Sequence, residues 1–320
     1  MAAVALEGRP QKIPFRIRLS AWWEGYDPAD IYPGDPVQLE LDAGRKRAAP
    51  SLAAAPKTKV PLWTQERIDV VERLWGFGMH SPGGEEHIQT LIKPFGLNPT
   101  MTVLDLGAGL GGATRIMAKS FGSWVTGLEQ WPILVQAGMD RSRAAGIEKK
   151  APIDVFDPKH IELKPQGYNA IFAKESFFTI ADKASLFFAI SGALRSGGQL
   201  CFTDYVMPDD AKPTPAIDAW MAQEPVEPFP CAAQDILALL EQNGLEATVA
   251  EDITDIHQAL ILQGWRDLIQ SLKPGTIAPA TVPHLVAEAE LWARRGAVLR
   301  TGDLRVYRFH ALKAADPVAT

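Results

Sequence analysis

Hydrophobic and polar positions in this chain switch between two periods. Short apolar runs at 103–106, 124–129, 153–157, 168–173 and 199–203 have strand length, and helix-period stretches at 113–121, 131–145 and 184–194 lie between most of them. Strand alternating with helix predicts parallel βαβ units with helices on both faces, a doubly wound α/β sheet. Upstream, 64–77 and 85–93 read as helices. Ile68, Val71 and Leu74 share one stripe, and Thr64 is placed to cap. Downstream come a helix at 232–242, a strand near 246–253, helices at 256–271 and 283–295, and an alternating strand at 303–313.

The first strand carries the candidate chemistry. Asp105-Leu106 leads into Gly107, Gly109, Gly111 and Gly112, four glycines within six residues, and then into a helix N-terminus. That geometry brings backbone N–H groups close to a nucleotide-like ligand. Glu129 ends the second strand about 20 residues on, where a carboxylate can accept from ribose hydroxyls. Gly107, Gly109 and Gly112 also satisfy G-x-G-x-x-G, so a dinucleotide-dependent oxidoreductase is one candidate. Asp105, two residues before the first glycine, would face a pyrophosphate unfavourably. It would instead order the turn or meet a cationic amino-acid moiety, which favours S-adenosylmethionine (SAM).

Residues 103–130 resemble the D-x-G-x-G-x-G-G-x-x-R-x-x-A motif of class I SAM-dependent methyltransferases, with Arg115 and Ala118 in the late positions. The Gly-Gly-x-x-Arg ending resembles the branch with phosphoethanolamine, quinone/tocopherol and sterol methyltransferases. The resemblance spans about residues 76–313. It implies a Rossmann-like seven-stranded sheet ending in an antiparallel hairpin, preceded by an N-terminal extension and linker at 1–60. The methyltransferase domain is then 61–320, with a proline-rich lid insertion at 205–230. It implies SAM as cofactor, Trp131 packing on adenine, Asp157 (with Asp154 as the rival) meeting the adenine amino group with Phe156 beside it, and Ser81-Pro82-Gly83-Gly84 covering the methionine end.

On this reading Asp105, Gly107, Gly109, Gly111, Glu129, Trp131, Phe156, Asp157 and Glu175 are the cofactor-binding candidates. Glu175 and Asp204, at strand exits, are the catalytic carboxylates, and His80 and His257 are the candidate imidazole bases. Met207, Trp220, Met221 and Phe229, with Phe177 and Phe178, suggest a partly apolar pocket. The two carboxylates suggest methyl transfer to a small or lipid-like acceptor, an amine or phosphobase nitrogen first. A C-methylated quinone, tocopherol or sterol-like acceptor and a non-catalytic SAM-binding module are the alternatives.

Charge and composition narrow the partners. The net charge is −6 without a sustained basic stripe, so nucleic acid is not expected. Cys201 and Cys231 are too few for a disulfide scaffold, and the histidines show no ligand spacing, so no metal is indicated. Neither a signal peptide nor an apolar span of about 18 residues is read, so a cytoplasmic protein is expected. The basic–aromatic run 12–26 suggests packing against the domain, a second subunit in a homodimer, or a peripheral membrane contact.

Overall fold

The structure, a computed structural model, describes residues 61–208, 214–272 and 277–315. The expectations for residues 1–60, the 12–26 run included, lie outside the described residues, as does 209–213 of the expected lid. The chain divides into two compact units. The larger, Leu62–Leu268 with Ile277–Thr320, carries the sheet.

The strands are β1 (Thr102–Leu106), β2 (Trp124–Glu129), β3 (Ile153–Val155), β4 (Tyr168–Lys174), β5 (Leu194–Met207), β6 (Cys231–Ala232), β7 (Leu245–Asp252) and β8 (Arg305–Lys313). Their order is β3-β2-β1-β4-β5-β8-β7. β1 to β5 pair in parallel, and β8 runs antiparallel to both β5 and β7. The expected seven-stranded sheet with its antiparallel end is present. The additional β6 pairs with Val206 and Met207 beyond the main path.

The helices are α1 (Gln65–Trp75), α2 (Gly84–Ile92), α3 (Gly112–Phe121), α4 (Pro132–Ala144), α5 (Lys183–Ala193), α6 (Pro215–Gln223), α7 (Ala233–Gln242), α8 (Thr254–Ser271) and α9 (Val282–Thr301). Successive strand residues point to opposite faces, so one strand feeds two cores. Val103, Phe172 and Cys201 pack with Ile88, Leu91 and Met117 on one face. Their neighbours Leu104, Ile171, Ala173 and Phe202 pack with Leu186, Phe187, Ile190 and Ile236 on the other. Strands covered on both sides read as continuous apolar runs, which is why these segments were legible.

The chain winds from β1 outward to β3, then returns to β4 and winds the other way. Where the direction reverses, beyond the carboxyl ends of β1 and β4, a crevice opens. α9 runs past its expected end at 295 to a left-handed Gly302 (φ 76°) and packs on α1, with Trp75 edge-on to Trp292 at 4.8 Å. Among the described residues no helix is long and apolar enough to cross a membrane.

Candidate active site

The glycine turn is built by hydrogen bonds to its own neighbours. The N–H groups of Gly107 and Ala108 both donate to Leu128 O at 2.9 Å, tying the turn to the end of β2. Arg115 Nη1 donates to Leu110 O at 2.8 Å and Gly138 O at 3.3 Å, joining turn and α4. Gly109 has φ 54°, and a Cβ there would lie 2.1 Å from the His80 ring. Both the left-handed backbone and the close approach of the 76–84 loop therefore require glycine. Asp105 is buried and accepts from Thr114 Oγ1 at 2.6 Å, and burial pushes its pKa up to about 6.

Glu129 ends β2 inside the crevice. Its Oε2 accepts from Gly109 N at 2.8 Å and its Oε1 from Trp131 N at 3.0 Å. Burial raises its pKa, opposed by the N–H groups of Trp131, Gly109 and Gln130. Trp131, Leu134, Phe156 and Pro158 line the crevice beside it. A carboxylate oxygen has two lone-pair directions, so each oxygen of Glu129 retains capacity for a further donor. An acid with spare acceptor capacity beside an apolar slot fits the adenosine half of SAM.

At the exit of β4 stands Glu175, a non-glycine residue held at φ 46°. Its N–H donates to Thr203 O at 2.8 Å, which fixes the strained backbone. Lys174 Nζ donates to Glu175 Oε2 at 2.7 Å and to Ser81 Oγ at 2.8 Å. Thr203 Oγ1 donates to Glu175 Oε1 at 3.2 Å, and His257 Nδ1 lies 3.7 Å from the same oxygen. Burial, the largest single influence, works to raise the Glu175 pKa, but the Lys174 charge, the neighbouring His257 and the Lys174 hydrogen bond together outweigh it and the carboxyl is held at about 2. His257 is depressed to about 4 by its own burial, so at neutral pH it is an uncharged neighbour.

The far rim comes from α1, α9 and the segment after α6. Arg67 Nε donates to Glu288 Oε1 at 2.7 Å, and its guanidinium lies 4.4 Å from the centre of the Trp63 ring. Arg295 holds Glu224 with two bonds of 2.9 and 2.7 Å and lies over Trp292 at 4.8 Å. His80 lies on the near side, edge-on to Trp63 and depressed to about 4 by burial and by the Lys174 charge.

Of the residues expected from sequence, Gly107, Glu129, Trp131, Phe156, Glu175 and His80 all line this crevice. Asp105 borders a smaller cavity beneath the 76–84 loop. Gly109 and Gly111 shape the turn from within. Three expected site residues fall outside the crevice. β3 ends at Val155, so Asp157 falls beyond it, turned to solvent and paired with His160 at 2.9 Å. Asp204 is no strand exit: β5 continues to Met207 because β8 pairs it through Val206, and the buried Asp204 Oδ1 accepts from Phe178 N at 3.1 Å.

His257 lies in the first turn of α8, buried behind Glu175 and 3.2 Å from the Tyr205 hydroxyl, and does not line the crevice. The expected lid also differs. Residues 205–207 belong to β5, and Trp220 is buried against Phe178 and Tyr205, while Glu224, Pro225 and Val226 face the crevice. Phe177 is core, and Phe178 alone of that pair reaches the opening. Sequence reasoning missed Arg67, Glu224, Glu288 and Arg295. Nothing local marks them: Arg67 lies among Glu66, Asp69, Glu72 and Arg73, Glu288 and Arg295 have Glu290 and Arg294 beside them, and Glu224 follows the end of α6.

A doubly wound sheet, a glycine turn at the switch point and an acid at the end of β2 define an α/β protein of the nucleotide-cofactor class. The chain belongs to the methyltransferase-domain family, which matches residues 97–259. Phosphoethanolamine N-methyltransferase 1 of Zea mays is 27% identical over 184 residues, 58% of this chain and 36% of that protein. The chain thus spans little more than a third of the length of the curated relatives it first matches.

The solved Haemonchus contortus phosphoethanolamine N-methyltransferase 2, in complex with SAM, has a TM-score of 0.68 at 21% identity, covering 77% of this chain and 56% of that one. Geranyl diphosphate C-methyltransferase from Streptomyces coelicolor A3(2), in complex with Mg2+, geranyl diphosphate and S-adenosylhomocysteine, has a TM-score of 0.59 at 17% identity, covering 78% and 98%. Both structures are likenesses of fold.

Proposed function

We propose that this methyltransferase moves the methyl group of SAM to an amine nitrogen on a small or lipid-like acceptor, a phosphobase among the candidates. Glu175 is the residue that meets that nitrogen. One observation carries the reading: an ionised carboxylate stands in a strained conformation at the strand exit that lines the crevice. Bound SAM supplies a sulfonium methyl for in-line displacement. Positive charge then develops on the acceptor nitrogen, and a fixed carboxylate opposite it favours that change. With a pKa of about 2, Glu175 is a charge stabiliser first and a weak proton acceptor second. The acceptor's surplus N–H proton leaves to solvent.

Glu129, Trp131 and Phe156 hold the adenosine half, and the turn around Gly107 with Asp105 and the His80 loop holds the amino-acid half. Lys174 and Thr203 orient Glu175. Two free cysteines accord with a reducing, cytoplasmic setting. The domain is proposed to span 61–320.

The test begins with calorimetric titration by SAM, S-adenosylhomocysteine and NADH. Binding of the first two leads to a labelled-methyl screen of amines, phosphobases and quinone-like lipids. Label recovered on nitrogen supports the reading. Label recovered on carbon, or binding of NADH alone, overturns it.

A further inference from the structure

A second groove lies beside the reaction crevice. Gln130, Pro158, Thr179, Ile180 and Val226 line both, so the two adjoin. The groove encloses about 910 Å³, within the range of small-molecule sites. Its floor is α5. Leu186, Phe187 and Ile190 of that helix face the core, as one stripe should. On the outer side Ser185, Phe188, Ala189 and Gly192, at spacings of three, one and three, form a second stripe along the groove.

Phe188 is 74% exposed, and nothing lies within 4 Å of the Cβ position of Gly192. A helix apolar on both sides is expected to be covered on both sides. Ile161, Leu163 and Phe229 add apolar lining, and Lys159, Glu162, Asp182 and Glu227 also border the groove. From Ser185 to Gly192 the floor is about 10 Å long at 1.5 Å per residue.

We infer that this groove seats a hydrocarbon tail of the methyl acceptor, so that the substrate is an amphiphile with its nitrogen at Glu175 and its tail along α5. The inference rests on the amine reading above for the head group, and on the groove alone for the tail. The shared lining selects the occupant: a chain leaving the reacting nitrogen meets Thr179 and Ile180, four and five residues after Glu175, which border crevice and groove alike. Val226 belongs to both linings, where the two cavities meet.

The test titrates the S-adenosylhomocysteine-loaded protein calorimetrically with butyl-, octyl- and dodecylamine below their micelle concentrations. Affinity should rise with length, by roughly tenfold or more from butyl to octyl, since a buried methylene is worth up to about fourfold. Phe188→Ser and Ala189→Trp, one removing apolar surface and the other filling the groove, should flatten the series. S-adenosylhomocysteine affinity should not change, which shows that both variants fold. A flat series in the unmodified protein, or a series unchanged in both variants, overturns the inference. So do variants that lose binding to phosphatidylcholine–phosphatidylglycerol vesicles, or self-association, while the amine series stands. Length-dependent binding without labelled-methyl transfer to any amine upholds the groove and overturns the nitrogen reading, so the two fail separately.

Discussion

The backbone N–H of Gly109 donates to Glu129 Oε2 at 2.8 Å, across 20 residues of sequence. The turn and the acid, two separate signals in the sequence, are thus one hydrogen-bonded unit. Glu129→Ala should weaken SAM binding by roughly 10- to 100-fold, because the ribose acceptor goes and the buried Gly109 N–H loses its partner. Glu129→Gln keeps one carbonyl oxygen and should lose less. Calorimetry on both variants checks this, and equal affinities in all three proteins would remove Glu129 from the site.

On the proposed reading, Glu175 separates chemistry from cofactor binding. Glu175→Gln should lower kcat by about 10²-fold, the scale of losing one electrostatic partner of the transition state, while SAM affinity is retained. Backbone strain gives a second readout. At φ 46° a side chain costs about 1 kcal/mol that glycine does not. Glu175→Gly should therefore be more stable than Glu175→Ala by ~1 kcal/mol in urea unfolding, though both leave Lys174 without its carboxylate partner. Equal stabilities would show that the conformation carries no strain.

The sheet was legible in the sequence because strands covered on both faces write themselves as apolar runs, and the glycine turn because few residues adopt its backbone. What failed were strand ends. β3 stops after three residues and β5 runs on to Met207 because of partners distant in sequence, β2 for the first and β8 for the second. Asp157 and Asp204 belong to the crevice only if β3 ends at 157 and β5 at 203, and with the observed ends each lies outside it. The rim residues were invisible for a similar reason: Arg67 and Glu288 are 221 residues apart, and no local pattern announces their contact.

That contact predicts an asymmetry between two acids of α9. Glu288 is buried, accepts from Arg67, and also accepts from Trp292 Nε1 at 3.1 Å. Glu290, half-exposed, faces Arg294 at 3.9 Å. Glu288→Ala leaves a largely buried guanidinium uncompensated and should cost ~3 kcal/mol. Glu290→Ala should cost less than ~0.5 kcal/mol. Chemical denaturation measures both, and similar losses would mean that Arg67 finds water when Glu288 is gone.

Acid should act on the fold partly through His80. Its folded pKa is about 4 against an ordinary 6.5, first because burial disfavours the imidazolium and then because Lys174 repels it. Between those values the unfolded chain binds a proton that the folded chain does not. Its contribution to stability is therefore complete above about pH 6.5 and declines as pH falls toward 4, by at most ~1.4 kcal/mol per pH unit. His87 and His257, also held at about 4, act in the same sense. Asp105 and Asp204, raised to about 6 and about 7, act in the opposite sense: the folded state takes up their protons first, and acid relieves the cost of their burial. The profile of the unmodified protein therefore blends opposing slopes, and only a difference isolates one group. His80→Gln removes one imidazole and leaves the rest. Plotted from pH 7 to 4, the stability of the unmodified protein should fall relative to the variant between 6.5 and 4 and run parallel outside that window. Parallel curves throughout would show that His80 titrates in the folded protein as it does in the unfolded chain.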